Sequence, residues 1–324
     1  MVSRRDTEQI RDKLVAAVKQ ADEVRARALV LQLGDGPRQV RAALEAMLED
    51  PQGLVRQAGA FGLGELGGAA SIRRLEQQLA VEEARGDFDG QAVVEDIVRA
   101  LGRIKEAGAR ASLVRRFERL MAGKPERAEI NELAEALWRK RHPELLPIVQ
   151  RALEHAAVPR PNALSGLRVL LEKSPQELGS WVRGSAVPTE HKTEVIALLQ
   201  EELPDDLRSV VPAFISTAHA LLEAAVSQDG EAAYYCECLL SVLLLHQERI
   251  LPSFTKETRS LLRGVARELV GAVSPNCSLR ATLLLKFVGS PEDAELITAH
   301  RPSDAIGAKV FDEAARALSV LRKN

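Results

Sequence analysis

The chain has 324 residues, of which 46% are hydrophobic and 28% are charged, and its formal net charge is −2. This length allows one elongated domain or two compact ones, each large enough to bury a core. The charged fraction excludes a disordered chain, and a net charge near zero excludes a uniformly basic nucleic-acid binder. Only 3% of the residues are aromatic, which argues against β-sandwiches, barrels and long base-stacking platforms.

Apolar residues recur every three or four positions along the chain, as expected for amphipathic helices. No stretch shows the sustained alternation of β-branched residues that predicts strands. The helices predicted at 207–227 and 230–248 are longer and more apolar than their neighbours, which indicates an irregular middle. In chain order, the predicted helices span residues 7–20, 23–33, 37–49, 53–67, 71–84, 91–106, 109–122, 127–140, 143–156, 161–172, 175–182, 189–202, 207–227, 230–248, 256–272, 277–288, 292–299 and 303–322.

A short pattern repeats in the first half of the chain. Leu63-Gly64 recurs as Leu101-Gly102, and Leu137-Trp138 occupies the same place in the next copy. The copies are spaced by roughly thirty to forty residues, enough for two helices and two short loops. Because small residues let helices approach closely, we expect Gly64 and Gly102 to lie where one helix pair packs against the next.

The copy around Gly64 resembles the HEAT repeat, particularly its short bacterial form. The resemblance is good over 22–140, weak over 141–180, faint over 181–275 and present again over 276–322. It implies an all-α fold, an α-solenoid of stacked antiparallel helix pairs with an irregular central portion. Most such solenoids are binding scaffolds, and a minority are enzymes, including bilin lyases and alkylpurine DNA glycosylases. The matching residues are Asp50, Val55, Arg56, Leu63, Gly64, Leu66 and Gly67.

A break in the chain is best placed in the loop at 181–190, which contains Gly184, Ser185 and Pro188. We therefore predict N-terminal HEAT-like repeats over residues 1–182 and C-terminal helical repeats over residues 183–324. The first interpretation is that the two parts continue as one bent solenoid, and the alternative is two separate halves.

Charge is balanced overall but uneven along the chain. Residues 101–141, the basic block, contain 11 Lys and Arg against 6 Asp and Glu, whereas residues 201–250, the acidic block, contain 2 against 9. The simplest interpretation is that these charges form ordinary solvated helix faces. A sharper hypothesis is that the basic block binds an acidic partner surface, and a third is self-association of basic on acidic blocks. The candidate partner-binding residues are Arg115, Arg116, Arg119, Trp138, Arg139, Lys140 and Arg141.

Trp138 has two interpretations. Tryptophan and arginine are enriched at binding hot spots, and Trp138 precedes a run of basic residues. Its alignment with Gly64 and Gly102 favours the alternative, in which the indole packs between helices.

The sequence contains no recognisable catalytic or metal-binding pattern. Cys236 and Cys238 are two positions apart, so on a helix they point in different directions and cannot both bind one ion. With Cys277 they form an odd, low count that does not indicate disulfides, and we expect buried thiols. The glycine-rich run at 59–68 lacks the ending of a phosphate loop. No catalytic residue, cofactor or metal is predicted, and we expect a protein that is not an enzyme.

The N-terminus lacks an apolar segment of signal-peptide length, and the most apolar run, Leu239 to Leu245, is too short to span a membrane. We therefore expect a cytoplasmic chain with no membrane contact.

The leading functional hypothesis is a non-enzymatic helical-repeat scaffold that binds a protein partner through its concave face or its charged blocks. The alternative is a nucleic-acid-binding HEAT-like protein of the DNA glycosylase type, which needs a basic groove and aromatic side chains near a catalytic carboxylate. The chain has a basic block with Trp138, and Asp96 lies one repeat earlier. The slightly acidic charge and the scarcity of aromatic residues argue against this alternative, because base extrusion and phosphate neutralisation need both aromatic and basic side chains.

Overall fold

The structure is a computed structural model that describes residues 4–123, 126–155, 162–228 and 230–321. Within these ranges every regular element is a helix and there is no strand, so the all-α prediction is confirmed. No helix in the described ranges is long and apolar enough to cross a membrane. The predicted helix ends at Ala156, Pro161 and Arg322 fall outside the described residues.

The chain divides into two compact units, Met1–Val158 and Pro159–Asn324. The boundary at 182/183 stays a prediction, and the loop that contains Gly184 lies within the second unit. The helices of the first unit are α1 (Arg4–Lys19), α2 (Glu23–Val30), α3 (Pro37–Leu48), α4 (Gly53–Leu66), α5 (Gly68–Arg85), α6 (Phe88–Arg103), α7 (Ala107–Met121), α8 (Arg127–Arg139) and α9 (Leu145–His155). Those of the second unit are α10 (Ala163–Glu172), α11 (Pro175–Arg183), α12 (Thr189–Glu201), α13 (Val211–Ala220), α14 (Leu222–Ser227), α15 (Glu231–Leu245), α16 (Gln247–Ile250), α17 (Lys256–Leu269), α18 (Pro275–Val288), α19 (Asp293–Ala299) and α20 (Ala305–Leu321).

Local sequence explains where several helices of the first unit begin and end. The side chain of Asp87 accepts a hydrogen bond from the backbone N–H of Gly90 and so caps α6. Gly67 and Gly68 both have positive φ, at 64° and 84°, in the tight turn between α4 and α5. Glycine is the residue that takes this conformation without strain, so two residues of the glycine-rich run form a turn.

The helices of the first unit pack in two sets. In one set α4 contacts α6, and α6 contacts α8; in the other α3 contacts α5, and α5 contacts α7. Each helix of the second set also packs against the next helix of the first set, so α3 contacts α4, α5 contacts α6 and α7 contacts α8.

The close contacts between pairs occur at the predicted small residues. A Cβ atom built on Gly64 would lie 2.8 Å from the Cβ of Ala100, and one built on Gly102 would lie 3.2 Å from the Cβ of Ala136. Gly64 on α4 thus faces α6, and Gly102 on α6 faces α8. The prediction that these glycines lie at the contact between successive pairs is confirmed.

The second unit also contains a set of helices in sequential contact, in which α10, α12, α15, α18 and α20 each pack against the next. In addition, α11 contacts α13, and α13 contacts α17. The prediction of a single helix over 207–227 was wrong. A 3₁₀ turn at Asp206–Val210 precedes α13, and a separate helix, α14, follows α13. Pro212 lies in the first turn of α13, where it has no N–H to donate to the Arg208 carbonyl, so one helix cannot run through this point. The helix predicted at 230–248 is likewise divided into α15 and α16.

A buried carboxylate connects α17 to α19. Asp293 is fully buried, and it accepts hydrogen bonds from Arg263 Nε at 2.8 Å, from Arg267 and from the backbone N–H of Ser290 at 2.8 Å. Burial alone would raise the pKa of Asp293, but these hydrogen bonds and the two positive charges lower it below its usual value. Two arginines of α17 are therefore committed to a structural contact.

Candidate partner-binding surface

The predicted partner-binding arginines of α7 are paired within the chain. Arg115 Nε lies 2.7 Å from a carboxylate oxygen of Glu76 on α5, and Arg116 and Arg119 both pair with Glu83 on the same helix. The side chains of Arg115 and Arg119 are about half exposed, at 51% and 50%, whereas that of Arg116 is 8% exposed. The structure thus brings the three arginines together on α7 and opposes them with carboxylates of the preceding pair.

The predicted residues around Trp138 are close together at the end of α8. Trp138 is 1% exposed, and the Arg141 guanidinium lies over its ring at 5.0 Å from the centroid. Lys140 donates a hydrogen bond to the carbonyl of Ile104, just after α6, and Arg139 is partly exposed. An indole this deeply buried agrees with the packing interpretation, and the basic side chains lie around it.

A different set of charged side chains lies on α2, α4, α6 and α8 and forms two groups of ion pairs. Arg27 and Arg103 pair with Glu23 and Glu65 in the first group, and Arg99 pairs with carboxylates of α6 and α8 in the second. Arg139 lies near enough to Arg103 for its charge to act on that guanidinium. We call this surface the charged row. It consists of Glu23, Arg27, Glu65, Glu95, Asp96, Arg99, Arg103, Glu132 and Arg139.

The helical repeat places equivalent residues of successive copies in the charged row. Glu65, Arg103 and Arg139 each follow directly after Gly64, Gly102 or Trp138 in the sequence. Arg103 lies 3.7 Å from Glu65 and 3.2 Å from Glu23, so it links α6 to both α4 and α2. Its guanidinium also lies over the ring of Phe61, 5.0 Å from the centroid. The same position in successive repeats thus carries one carboxylate, on α4, and two guanidinium groups, on α6 and α8.

Carboxylates outnumber cations where α6 meets α8. Arg99 lies 2.5 Å from Glu132, 3.1 Å from Asp96 and 3.8 Å from Glu95. The three carboxylate side chains are 17%, 21% and 32% exposed, respectively. This part of the charged row therefore holds more carboxyl groups than guanidinium groups, and its side chains are partly exposed.

Burial and neighbouring like charges raise the pKa values of two carboxyl groups in this part of the charged row. Burial raises the pKa of Glu132 to about 7; the Arg99 charge lowers it in part, and the neighbouring charges of Glu95 and Glu135 raise it. Burial also raises the pKa of Asp96, against the opposing effect of Arg99. Perturbed pKa values cluster at functional sites, so these carboxyl groups are candidates for one.

Sequence reasoning named Asp96 under the DNA glycosylase alternative and Arg139 under the basic block. It missed Glu95, Arg99 and Glu132, which no motif marks. The signal that could have found them is the repeat itself, because Arg99 and Glu132 each lie a few residues before the Gly102 or Trp138 position. Aligning the copies places both side chains on the same face of neighbouring helices.

The acidic block in the second unit is also partly paired. Asp205 lies 3.3 Å from Arg208 and forms an ion pair with Arg249, and Glu237 lies 2.8 Å from Arg280 on α18. Two residues of the charge blocks, Lys124 and Asp229, lie outside the described residues.

The three cysteines are buried thiols that form no disulfide, as predicted. Burial raises the pKa of Cys236 to about 12 and that of Cys238 to about 11, so both thiols are protonated at neutral pH. Within the described part of the chain, no group of three or more His, Cys, Asp and Glu side chains is arranged to hold a metal ion.

Comparison with known proteins identifies no family: no family model matches the chain, and no curated protein matches it.

Proposed function

We propose that this chain is a non-enzymatic, HEAT-like α-solenoid that binds a protein partner, and that the charged row is its binding surface. The sequential contacts of α4, α6 and α8, with α3, α5 and α7 on the other side, support a solenoid, in which each repeat contacts its neighbours. Solenoids present such continuous faces to extended partners.

The observation that carries the proposal is the excess of carboxylates around Arg99. Three partly exposed carboxylates share one guanidinium between α6 and α8. A partner that presents lysine or arginine side chains would relieve this excess, because charged groups across an interface are arranged to be complementary. The proposed partner is therefore a protein segment with basic side chains.

The basic block has less support as a binding surface. Arg115, Arg116 and Arg119 already pair with carboxylates of α5, so binding an acidic partner or a phosphate backbone there would have to break these pairs. For the same reason the DNA glycosylase alternative has less support, because phosphate neutralisation requires available cations.

The experiment compares two charge-reversal variants of the full chain as baits. The row variant carries Glu95→Lys and Glu132→Lys, and the control carries Glu118→Lys, at an exposed position of α7. Partner proteins captured from the native organism by the wild-type chain should be lost from the row variant and retained by the control. A synthetic lysine-rich peptide should bind the wild-type chain and the control but not the row variant, and its binding should weaken as the salt concentration is raised. Equal binding by both variants would contradict the charged row.

Two further measurements test the other parts of the proposal. A mobility shift with duplex DNA at low salt would favour the nucleic-acid alternative, and no shift is expected. A solenoid should scatter X-rays with a radius of gyration above the roughly 20 Å of a compact chain of this length. A compact value would contradict the solenoid.

A further inference from the structure

Glycines within several helices of this protein lie where a neighbouring helix comes close. Besides Gly64 and Gly102, a Cβ on Gly59 would lie 3.0 Å from the carbonyl oxygen of Leu44 on α3, and a Cβ on Gly166 would lie 2.6 Å from that of Glu194 on α12. Glycine inside a helix costs about 1 kcal/mol relative to alanine. At these positions the close helix contact explains that cost.

Gly264 does not follow this rule. It lies inside α17, yet a Cβ built on it would meet no atom of a neighbouring element within 4 Å. It faces a solvent-open groove of about 680 Å³ between α13 and α17, which His219 and Leu261 also line. Within the described chain there is no close helix contact that explains this glycine.

The exposed face of α17 around Gly264 carries opposite charges at its two ends. Lys256, Ser260, Gly264 and Glu268 are spaced by four, so they form one ridge of the type that packs into grooves of another helix. Lys256 and Glu268 are exposed, and neither side chain has an ion-pair partner among the described residues.

The other charged side chains of α17 are committed within the chain. Arg263 and Arg267 hold the buried Asp293, and Arg259 donates a hydrogen bond to the carbonyl of Leu251. The carboxylate of Glu257 accepts hydrogen bonds from its own backbone N–H and from Thr255. Lys256 and Glu268 are therefore the charges that this face can offer to another molecule.

We infer that this face binds a second copy of the chain, with two α17 helices crossing antiparallel at Gly264. An antiparallel crossing related by two-fold symmetry sets the N-terminal half of one helix against the C-terminal half of the other. Lys256 of each copy then lies within reach of Glu268 of the second copy, and Ser260 lies opposite the same carboxylate. The missing Cβ of Gly264 lets the two backbones approach at the crossing, as it does at the close contacts within the chain.

The charge arrangement selects a second copy because it is self-complementary. A parallel pairing would oppose Lys256 to Lys256 and Glu268 to Glu268, which is repulsive. The antiparallel pairing forms two equivalent ion pairs on either side of the crossing. Because exposed ion pairs flank the crossing, the dimer should form in a concentration-dependent way and weaken as salt is raised.

The test is sedimentation velocity of the full chain over a range of concentrations. The wild-type chain should pass from monomer to dimer, and Gly264→Leu should remain monomeric because the larger side chain holds the backbones apart. Gly264→Leu should keep the wild-type melting temperature or exceed it, since the side chain enters open space and leucine favours helix. Loss of the dimer through unfolding is thereby distinguished from loss of the contact.

A charge exchange provides the second arm. Lys256→Glu alone and Glu268→Lys alone should each abolish the dimer, and the double variant should restore it because the opposite charges are exchanged. Lys309→Glu, at an exposed position of α20, is the matched control and should dimerise like the wild type. A chain that is monomeric at all concentrations, or a dimer that persists in Gly264→Leu and Lys256→Glu, would overturn the inference.

Discussion

The guanidinium of Arg56 and the carboxylate of Glu82 form a buried two-point ion pair in the first unit, with Nε–Oε1 at 2.8 Å and Nη2–Oε2 at 3.2 Å. The remaining nitrogen, Nη1, donates to the backbone carbonyls of Asp50 and Pro51 at 3.0 and 2.9 Å. Arg56 therefore ties the turn between α3 and α4 to α5. It is also the arginine on which the resemblance to the HEAT repeat partly rests.

Removing one member of this pair should destabilise the protein strongly. Arg56→Ala leaves the buried carboxylate of Glu82 without its main partner and two backbone carbonyls without a donor. We expect the free energy of unfolding to fall by about 3–5 kcal/mol, measured by urea denaturation. Arg85→Ala is the control, because Arg85 also contacts Glu82, at 3.2 Å, but is 40% exposed. Arg85→Ala should lower the free energy of unfolding by less than about 1 kcal/mol. If both variants lowered it equally, the buried Arg56–Glu82 pair would stabilise the protein no more than the exposed contact does.

The contact between helix pairs should be sensitive to side-chain size at Gly64. A Cβ there would lie 2.9 Å from the Cα of Ala100, so even Gly64→Ala forces the backbone of α6 to move. We expect Gly64→Leu to lower the free energy of unfolding by roughly 1–3 kcal/mol. Gly102→Ala, with its nearest contact at 3.2 Å, should be milder. Thermal melting should show a larger loss of stability for Gly64→Leu than for Gly102→Ala. A Gly64→Leu variant as stable as the wild type would show that α4 and α6 do not pack as described.

Glu132 should make stability depend on pH in the range below neutrality. Its pKa is raised from 4.5 to about 7 in the folded chain, so between these values the folded state binds more protons than the unfolded state. The free energy of unfolding should therefore fall as pH rises through this window. Glu132→Gln removes this pH dependence because the amide does not ionise. At pH 8 the variant should therefore have a free energy of unfolding about 1 kcal/mol higher than that of the wild type.

The difference between Glu132→Gln and the wild type should disappear near pH 5, where the wild-type carboxyl group is protonated. Denaturation curves at several pH values provide the measurement. Glu118→Gln removes a carboxylate from an exposed face of α7 without touching Arg99 and is the matched comparison. A constant difference between Glu132→Gln and the wild type from pH 5 to 8 would contradict the raised pKa.

The three arginines of α7 should differ in their effect on stability. Arg116 is nearly buried between Glu83 and Glu129, so Arg116→Ala removes this cation from Glu129 and leaves Glu83 with the half-exposed Arg119; it should cost about 2–3 kcal/mol. Arg119→Ala, at a half-exposed position, should change stability by less than about 1 kcal/mol. Calorimetric melting of both variants tests this, and similar melting temperatures would count against it. A binding test on the basic block should therefore vary Arg115 and Arg119 and leave Arg116 in place.

The fold was predictable to the extent that it depends on local periodicity and on residue size. The apolar period predicts the helices, and the recurrence of Gly64 at Gly102 predicts where successive pairs meet. The division of the helix at 207–227 was missed, because apolar periodicity continues through Pro212 while its missing N–H interrupts the hydrogen bonds.

The candidate site was less predictable because charge on a helix does not reveal its partner. Arg115, Arg116 and Arg119 form an obvious basic cluster in the sequence, but Glu76 and Glu83, which oppose them, belong to the preceding helix pair. Arg99 and Glu132 belong to no sequence motif, and they form an ion pair only because α6 packs against α8.

The sequence by itself determined the all-α character of this protein, its helix pairs and the small residues at their contacts. These properties follow from backbone hydrogen bonding and side-chain size, which act over a few neighbouring residues. Only the folded arrangement shows which charges are paired, that Arg56 is buried, and that Gly264 faces solvent. Ion pairing and burial depend on residues about thirty positions apart that packing brings together, and a linear pattern of charge does not contain that information.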